Sequence, residues 1–61
     1  MNKEEAQAIA DKLGLRYDGV QEWLGHQFTD IGVTGTTFYG NTLEEIKREL
    51  VKKRKLFKQL G

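Results

Sequence analysis

The segment from Gly35 to Ile46 constrains the fold of this chain more than any other. Residues 36–39, Thr-Thr-Phe-Tyr, have the Thr and aromatic content of a strand. Thr42 and Glu45 follow with the S/T-x-x-E spacing of a helix capping box, in which the hydroxyl and the carboxylate satisfy backbone amides of the first turn. The segment therefore predicts a strand that leads directly into a long, capped helix.

A first helix is predicted from about Lys3 to Leu13. Asn2 and Glu5 have the spacing of a helix start, and Gly14 can adopt the left-handed conformation that ends a helix, with Leu15 placed for the accompanying apolar contact. Four apolar residues recur at i, i+3, i+4 and i+7, so they form one stripe. They are Ala6, Ile9, Ala10 and Leu13.

Between the helices the sequence favours a three-stranded antiparallel meander, with strands at 15–20, 27–31 and 36–39. Gly32 and Gly35 between the last two strands predict a tight hairpin, because glycine accepts positive φ without steric cost. Residues 21–25 leave two alternatives open. Either one of the adjacent Trp23 and Leu24 covers the edge of the core while the other faces solvent, or the segment forms a short helical turn.

The second helix carries an apolar stripe wide enough to cover one face of a sheet, while Val51 and Leu56 lie outside that stripe. Because both helices have one apolar side and a half-buried sheet lies between them, the predicted fold is α+β, in the order α-β-β-β-α, with both helices on one face. The stripe of the second helix consists of Leu43, Ile46, Leu50, Phe57 and Leu60.

This element order resembles that of double-stranded-RNA-binding domains, which also place two helices on one face of a three-stranded sheet. The resemblance covers nearly the whole chain and concerns topology. Those domains bind phosphates through a lysine-rich start of their second helix, whereas residues 41–45 of this chain read Asn-Thr-Leu-Glu-Glu. The resemblance therefore implies the fold and transfers no RNA-binding residue.

Size and composition predict one small domain over residues 1–61, without a linker. A chain this short buries only about 60% of the surface that it exposes when unfolded, so we expect marginal stability, which a dimer would improve. The chain has no cysteine, which suits a reducing cytoplasm, and its acidic, soon amphipathic amino-terminal segment has neither a signal-peptide pattern nor a membrane-spanning run. We expect a cytoplasmic protein with no membrane association.

The residue inventory argues against an enzyme. There is no Ser or Cys to act as a nucleophile, and His26 is the only imidazole, so its expected role is structural. Asp18 and Asp30 could approach across neighbouring strands as a carboxylate pair, but surface carboxylates are so common that an ordinary structural role is the strongly favoured explanation. We predict no catalytic residue, no metal, no cofactor and no small-molecule substrate.

The near-neutral total charge hides an asymmetry. Residues 41–61 carry seven Lys or Arg against three Glu, a net charge of +4, while residues 1–40 carry three against six, a net charge of −3. A solvated helix face is the simpler explanation, since Lys and Arg favour helices and complement the carboxyl end. The alternative is nucleic-acid binding through this cationic face, which consists of Lys47, Arg48, Lys52, Arg54, Lys55 and Lys58.

The leading hypothesis for function is a non-catalytic protein-interaction module that binds a protein partner or a second copy of itself. If Phe28 and Phe38 face the helices, Tyr39 lies on the opposite, polar face of the sheet. Trp23 is a second anchor if its loop is exposed. The far end of the second helix offers the remaining apolar residues, Val51, Leu56, Phe57 and Leu60.

Overall fold

The computed structural model describes the backbone of residues 1–60 and the side chains of residues 1–59. The chain forms α1 (Lys3–Leu13), β1 (Arg16–Gln21), β2 (Gly25–Thr29), β3 (Thr37–Gly40) and α2 (Leu43–Leu60). The strands form one antiparallel sheet in the order β1-β2-β3. The predicted α-β-β-β-α fold is confirmed.

The bounds of α1 follow from its two caps. The Asn2 side chain accepts a hydrogen bond from the Glu5 amide at 2.8 Å, and the Glu5 carboxylate accepts one from the Asn2 amide at 3.4 Å. At the other end Gly14 has φ 72°, and the Leu15 amide donates to the Ala10 carbonyl at 2.8 Å. These bonds satisfy backbone groups that the helix cannot pair internally, so α1 has the predicted bounds.

The side-chain alternation of the strands decides which face of the sheet carries the helices. Tyr17 pairs with Phe28, which pairs with Phe38, and the two Phe rings stack with centroids 5.9 Å apart. These residues pack against the apolar stripes of both helices, so the helices share one face, as predicted. The buried apolar core consists of Ala6, Ala10, Leu15, Phe28, Phe38, Ile46 and Leu50.

The connection between β2 and β3 differs from the predicted tight hairpin. Residues 30–36 form a seven-residue loop, closed by bonds from the Asp30 amide to the Thr36 carbonyl (2.9 Å) and from the Gly35 amide to the Asp30 carbonyl (2.7 Å). Gly35 has φ 69°, but Gly32 does not use positive φ. Ile31, which the sequence assigns to a strand, lies exposed in this loop. Asp30, the first residue of this loop, turns its side chain into the protein.

The connection between β1 and β2 consists of residues 22–24. The Leu24 amide donates to the Gln21 carbonyl at 3.1 Å, which closes a β-turn rather than a helical turn. Trp23 and Leu24 both face solvent, so the prediction that one of them covers the core is wrong.

The start of α2 shows a variant of the predicted capping box. The Thr42 hydroxyl accepts from the Glu45 amide at 3.1 Å, as predicted, but the Glu45 carboxylate accepts from the Asn41 amide at 3.3 Å. Along α2, Ile46 and Leu50 are buried, whereas Phe57 at the far end is about half exposed. The helix therefore extends beyond the sheet that it covers.

Candidate interaction surfaces

The turn between β1 and β2 projects an apolar surface that we call the hairpin tip and that consists of Val20, Trp23 and Leu24. Trp23, the chain's only tryptophan, is 96% exposed, and Val20 and Leu24 are each more than half exposed. Full burial of a large apolar side chain is worth about 1.5–3 kcal/mol, so packing within this chain gains almost nothing from Trp23. The sequence identified Trp23 as an anchor on the condition that its turn is exposed, and the turn is exposed.

The backbone of Trp23 is also unusual. Its φ is 73°, and among residues 1–60 it is the only non-glycine residue with positive φ. The left-handed region costs an L-residue about 1–2 kcal/mol, and a type II turn normally has Gly or Asn at this position. Neither side-chain packing nor turn geometry therefore accounts for a tryptophan here.

A groove opens at the same end of the molecule, between the amino-terminal turns of the two helices. Its volume is about 520 Å³. It lies beside the hairpin tip, because the Met1 carbonyl bonds His26 at 2.9 Å and the Asn41 side chain lies against Gly25. No local sequence pattern predicts this groove, because its lining comes from residues 1–9 and 41–43, which are far apart in the chain. The lining residues are Met1, Glu5, Ala8, Ile9, Asn41, Thr42 and Leu43.

A second apolar surface lies on the carboxyl-terminal half of α2. Val51 is 65% exposed, and Leu56 and Phe57 are each about half exposed. Val51 lies on the cationic side of the helix and Leu56 on the other, so they do not form one patch with Phe57. The side chain of Leu60, which the sequence adds to this surface, lies outside the described residues.

Most of the predicted cationic face lies in solvent. Lys47, Arg48, Lys55 and Lys58 are exposed and form no ion pair with a carboxylate of residues 1–59. Lys52 lies 3.8 Å from Glu49, one turn earlier, a pairing that contributes little at an exposed site.

Arg54 differs from the other cations of this face, because it turns toward the sheet. Its Nε and a terminal nitrogen donate to the two carboxylate oxygens of Asp30 at 3.0 and 3.1 Å. The Asp30 side chain is 0% exposed and that of Arg54 is 40% exposed. The hydrogen bonds from Arg54 hold the pKa of Asp30 below its ordinary value of 3.8 although desolvation acts in the opposite direction, and a weaker bond from Thr34 adds to the lowering. The hydrogen bonds to Asp30 in turn raise the pKa of Arg54.

The far face of the sheet is polar, as predicted. The Thr29 hydroxyl donates to Asp18 and lies 3.1 Å from the Thr37 hydroxyl, and Arg16 Nε donates to Asp18 at 2.7 Å. The Thr29 hydroxyl is the main cause that lowers the pKa of Asp18. Tyr39 lies on this face and is partly exposed. Its neighbours already bond one another, so the face offers few free groups to a ligand.

The sheet edges are poorly suited to pairing with another strand. The outer strand β1 carries an irregularity between Tyr17 and Gly19, where Asp18 has no opposite partner, and β3 is only four residues long. Bulges and short edge strands are features that prevent edge-to-edge pairing. The edges are therefore weaker candidates than the hairpin tip.

His26, Asp18 and Asp30, the titratable residues that the sequence analysis considered for catalysis, each form hydrogen bonds within the fold. His26 is buried, with Nδ1 2.7 Å from the Tyr17 hydroxyl and Nε2 bonded to the Met1 carbonyl. Asp18 bonds partners on the far face while Asp30 bonds Arg54 on the helix side, so the two do not form a carboxylate pair. Residues 1–59 contain no group of three or more His, Asp or Glu side chains that could hold a metal ion.

Similarity to known proteins does not extend these observations. No protein-family model, curated protein or solved structure matches the chain. Of the helices in the described part of the chain, neither is long and apolar enough to cross a membrane.

Proposed function

We propose that this protein is a non-catalytic protein-interaction module that binds its partner through the hairpin tip. The observation that carries the proposal is Trp23, which is almost fully exposed and held at a positive φ. Residues that lower the stability of the free protein are typical of binding sites, because contact with the partner offsets their strain and buries their exposed surface. Tryptophan is among the residues most enriched at the energetic centres of protein interfaces.

The surroundings of Trp23 support an anchor rather than an isolated apolar residue. Leu24 follows it directly and Val20 lies three residues before it near the end of β1, and both are exposed, so the hairpin tip carries three exposed apolar side chains. The paired strands on either side hold the turn in register. A turn whose backbone is already held by strand pairing loses little backbone entropy when it binds, which favours affinity.

The proposal is tested by affinity capture from the protein's own cells, comparing the wild type with Trp23→Asn. Asn tolerates positive φ, so this variant removes the indole without disturbing the turn. Val51→Asn, on a different surface, is the matched control. We expect a defined set of captured proteins that the control retains and Trp23→Asn loses. Identical sets from Trp23→Asn and the wild type would refute binding through the hairpin tip.

A second candidate function is nucleic-acid binding through the cationic face. The observation that favours it is the exposure of Lys47, Arg48, Lys55 and Lys58 without carboxylate partners among the described side chains. Such contacts release counterions, so affinity would fall steeply with salt. The amino end of α2 does not contribute, because Glu44 and Glu45 lie there and repel anions.

Charge reversal tests this second candidate. The double variant Lys55→Glu/Lys58→Glu should lose binding to a short mixed-sequence DNA duplex, measured by amide NMR titration at low and near-physiological salt. Lys3→Glu/Lys12→Glu on α1 reverses the same number of charges elsewhere and should bind as the wild type does. Equal binding by both double variants would remove the cationic face as the contact.

A further inference from the structure

We infer that the partner of the hairpin tip is a second copy of this chain, and that each copy inserts Trp23 into the groove between α1 and α2 of the other. The inference rests on the proposed function and names its partner. It follows from the placement of a protruding aromatic side chain and an unfilled groove at one end of the same molecule.

The geometry suits a two-fold symmetric contact. Gly25 follows the turn directly and lies against Asn41 of the groove, so the hairpin tip and the groove are neighbours. Trp23 leaves the groove of its own chain unfilled, since it is almost fully exposed. An isologous dimer requires a patch that complements itself, and a patch holding both a projection and a cleft meets this requirement.

The chemistry of the groove suits an indole. Ala8, Ile9 and Leu43 supply apolar walls, and the groove volume of about 520 Å³ leaves room for a tryptophan ring. A buried indole must also donate its N–H to an acceptor. Glu5 and Asn41 line the same groove and carry side-chain oxygens that accept hydrogen bonds.

The buried area predicts a weak dimer. A large aromatic side chain buries about 150–250 Å², so two insertions bury about 300–500 Å² of Trp23 and a smaller area of the two open grooves. Leu24 beside Trp23 adds to this area, but the total stays below the roughly 1,200 Å² of the smallest stable interfaces. The dimer should therefore form at high protein concentration and dissociate on dilution.

The test uses sedimentation equilibrium together with the fluorescence of Trp23, which is the only tryptophan and so reports on this site alone. We expect the wild type to dimerise as concentration rises, with a parallel blue shift of its emission. Trp23→Asn removes the projection, and Ala8→Lys blocks the groove at an exposed position of α1. Each should raise the dimer dissociation constant at least about tenfold.

Mixing the two variants gives the sharpest result. Trp23→Asn keeps an open groove and Ala8→Lys keeps the indole, so one of the two contacts can form between them. We expect the emission of Ala8→Lys to shift blue when Trp23→Asn is added and to stay unchanged when more Ala8→Lys is added. Leu56→Glu, on the second apolar surface, should dimerise as the wild type does.

Three results would overturn the inference: a wild type that stays monomeric at millimolar concentration, a Trp23→Asn variant that dimerises normally, or no shift on mixing. Loss of the dimer in Leu56→Glu alone would assign self-association to α2 instead. If the inference fails while affinity capture of another protein still requires Trp23, the proposed function stands with a different partner. If that capture is also independent of Trp23, both fail.

Discussion

Replacing Arg54 with Met should destabilise the protein far more than its position on a charged helix face suggests. The change keeps a long, helix-favouring side chain but removes both hydrogen bonds to Asp30, whose side chain is fully buried. A buried charge that loses its partner retains its desolvation cost without compensation. The Thr34 hydroxyl, 3.3 Å from the carboxylate, is a weak remaining partner.

The expected loss is about 2 kcal/mol, below the 3–5 kcal/mol of a fully buried pair, because the Arg54 side chain is 40% exposed and water already screens it. A domain of this length has a total stability of roughly 3–9 kcal/mol, so the loss is a large part of it. In urea, with a slope near 1 kcal/mol/M for so small a protein, the midpoint should fall by about 2 M.

The assay is urea unfolding followed by far-ultraviolet circular dichroism, because the exposed Trp23 reports poorly on unfolding of the monomer. Lys55→Met is the matched control: it removes a neighbouring exposed cation and should stay within about 0.5 kcal/mol of the wild type. An Arg54→Met variant as stable as Lys55→Met would refute the argument that removing Arg54 leaves a buried charge on Asp30 without compensation.

The same pair predicts how the effect depends on pH. In the wild type the pKa of Asp30 lies below 3.8, so the stability from the pair is present above that pH and is lost as pH falls through the lowered pKa. In Arg54→Met desolvation, which raises the pKa of Asp30, is opposed only by the weaker bonds from Thr34, so acidification neutralises the carboxylate that has lost its main partner. The difference in unfolding free energy between the two proteins should therefore shrink from pH 7 to pH 3, and a constant difference would contradict this explanation.

Two further predictions concern stability. Gly40→Ala should lower the unfolding free energy by about 1–3 kcal/mol through overpacking, because a Cβ there would lie 2.8 Å from Ile46 Cγ1. The control Gly32→Ala meets no atom within 4 Å and should be neutral or gain stability. Equal urea midpoints for the two variants would show that α2 moves aside freely. At low protein concentration, where the chain is monomeric, Trp23→Asn should raise the unfolding free energy by about 0.5–1 kcal/mol, because Asn relieves the strained φ. A loss of stability instead would mean that the indole packs within its own chain.

Local signals in the sequence were sufficient for most of the fold. The capping residues Asn2 and Gly14 mark the ends of α1, and the positions of Phe28 and Phe38 determine which face of the sheet is buried. These features depend on residues close in sequence or on strand alternation, which has a fixed period of two. Strand ends were less well predicted because Ile31 has strand propensity but lies beyond the last pairing at Thr29.

The candidate site depends on contacts that no local pattern encodes. Asp30 and Arg54 are 24 residues apart, so the sequence placed Arg54 on the cationic face, and only the structure shows that it turns inward. The groove brings together Ala8 and Leu43, which are distant in sequence and are separated along the chain by all three strands. The exposure of Trp23 was likewise unpredictable, since a lone tryptophan in so small a chain normally contributes to the core.

The order of packing along this chain has a consequence for its folding. Each strand pairs with the next one in sequence, α1 packs on β1, and α2 packs on β3. Native contacts between chain neighbours require little loop closure, so the barrier to folding is low and relaxation should be complete within milliseconds. The chain also lacks proline and cysteine, which removes the two covalent sources of slow phases. A chain that refolds this quickly spends little time with its apolar core exposed to solvent.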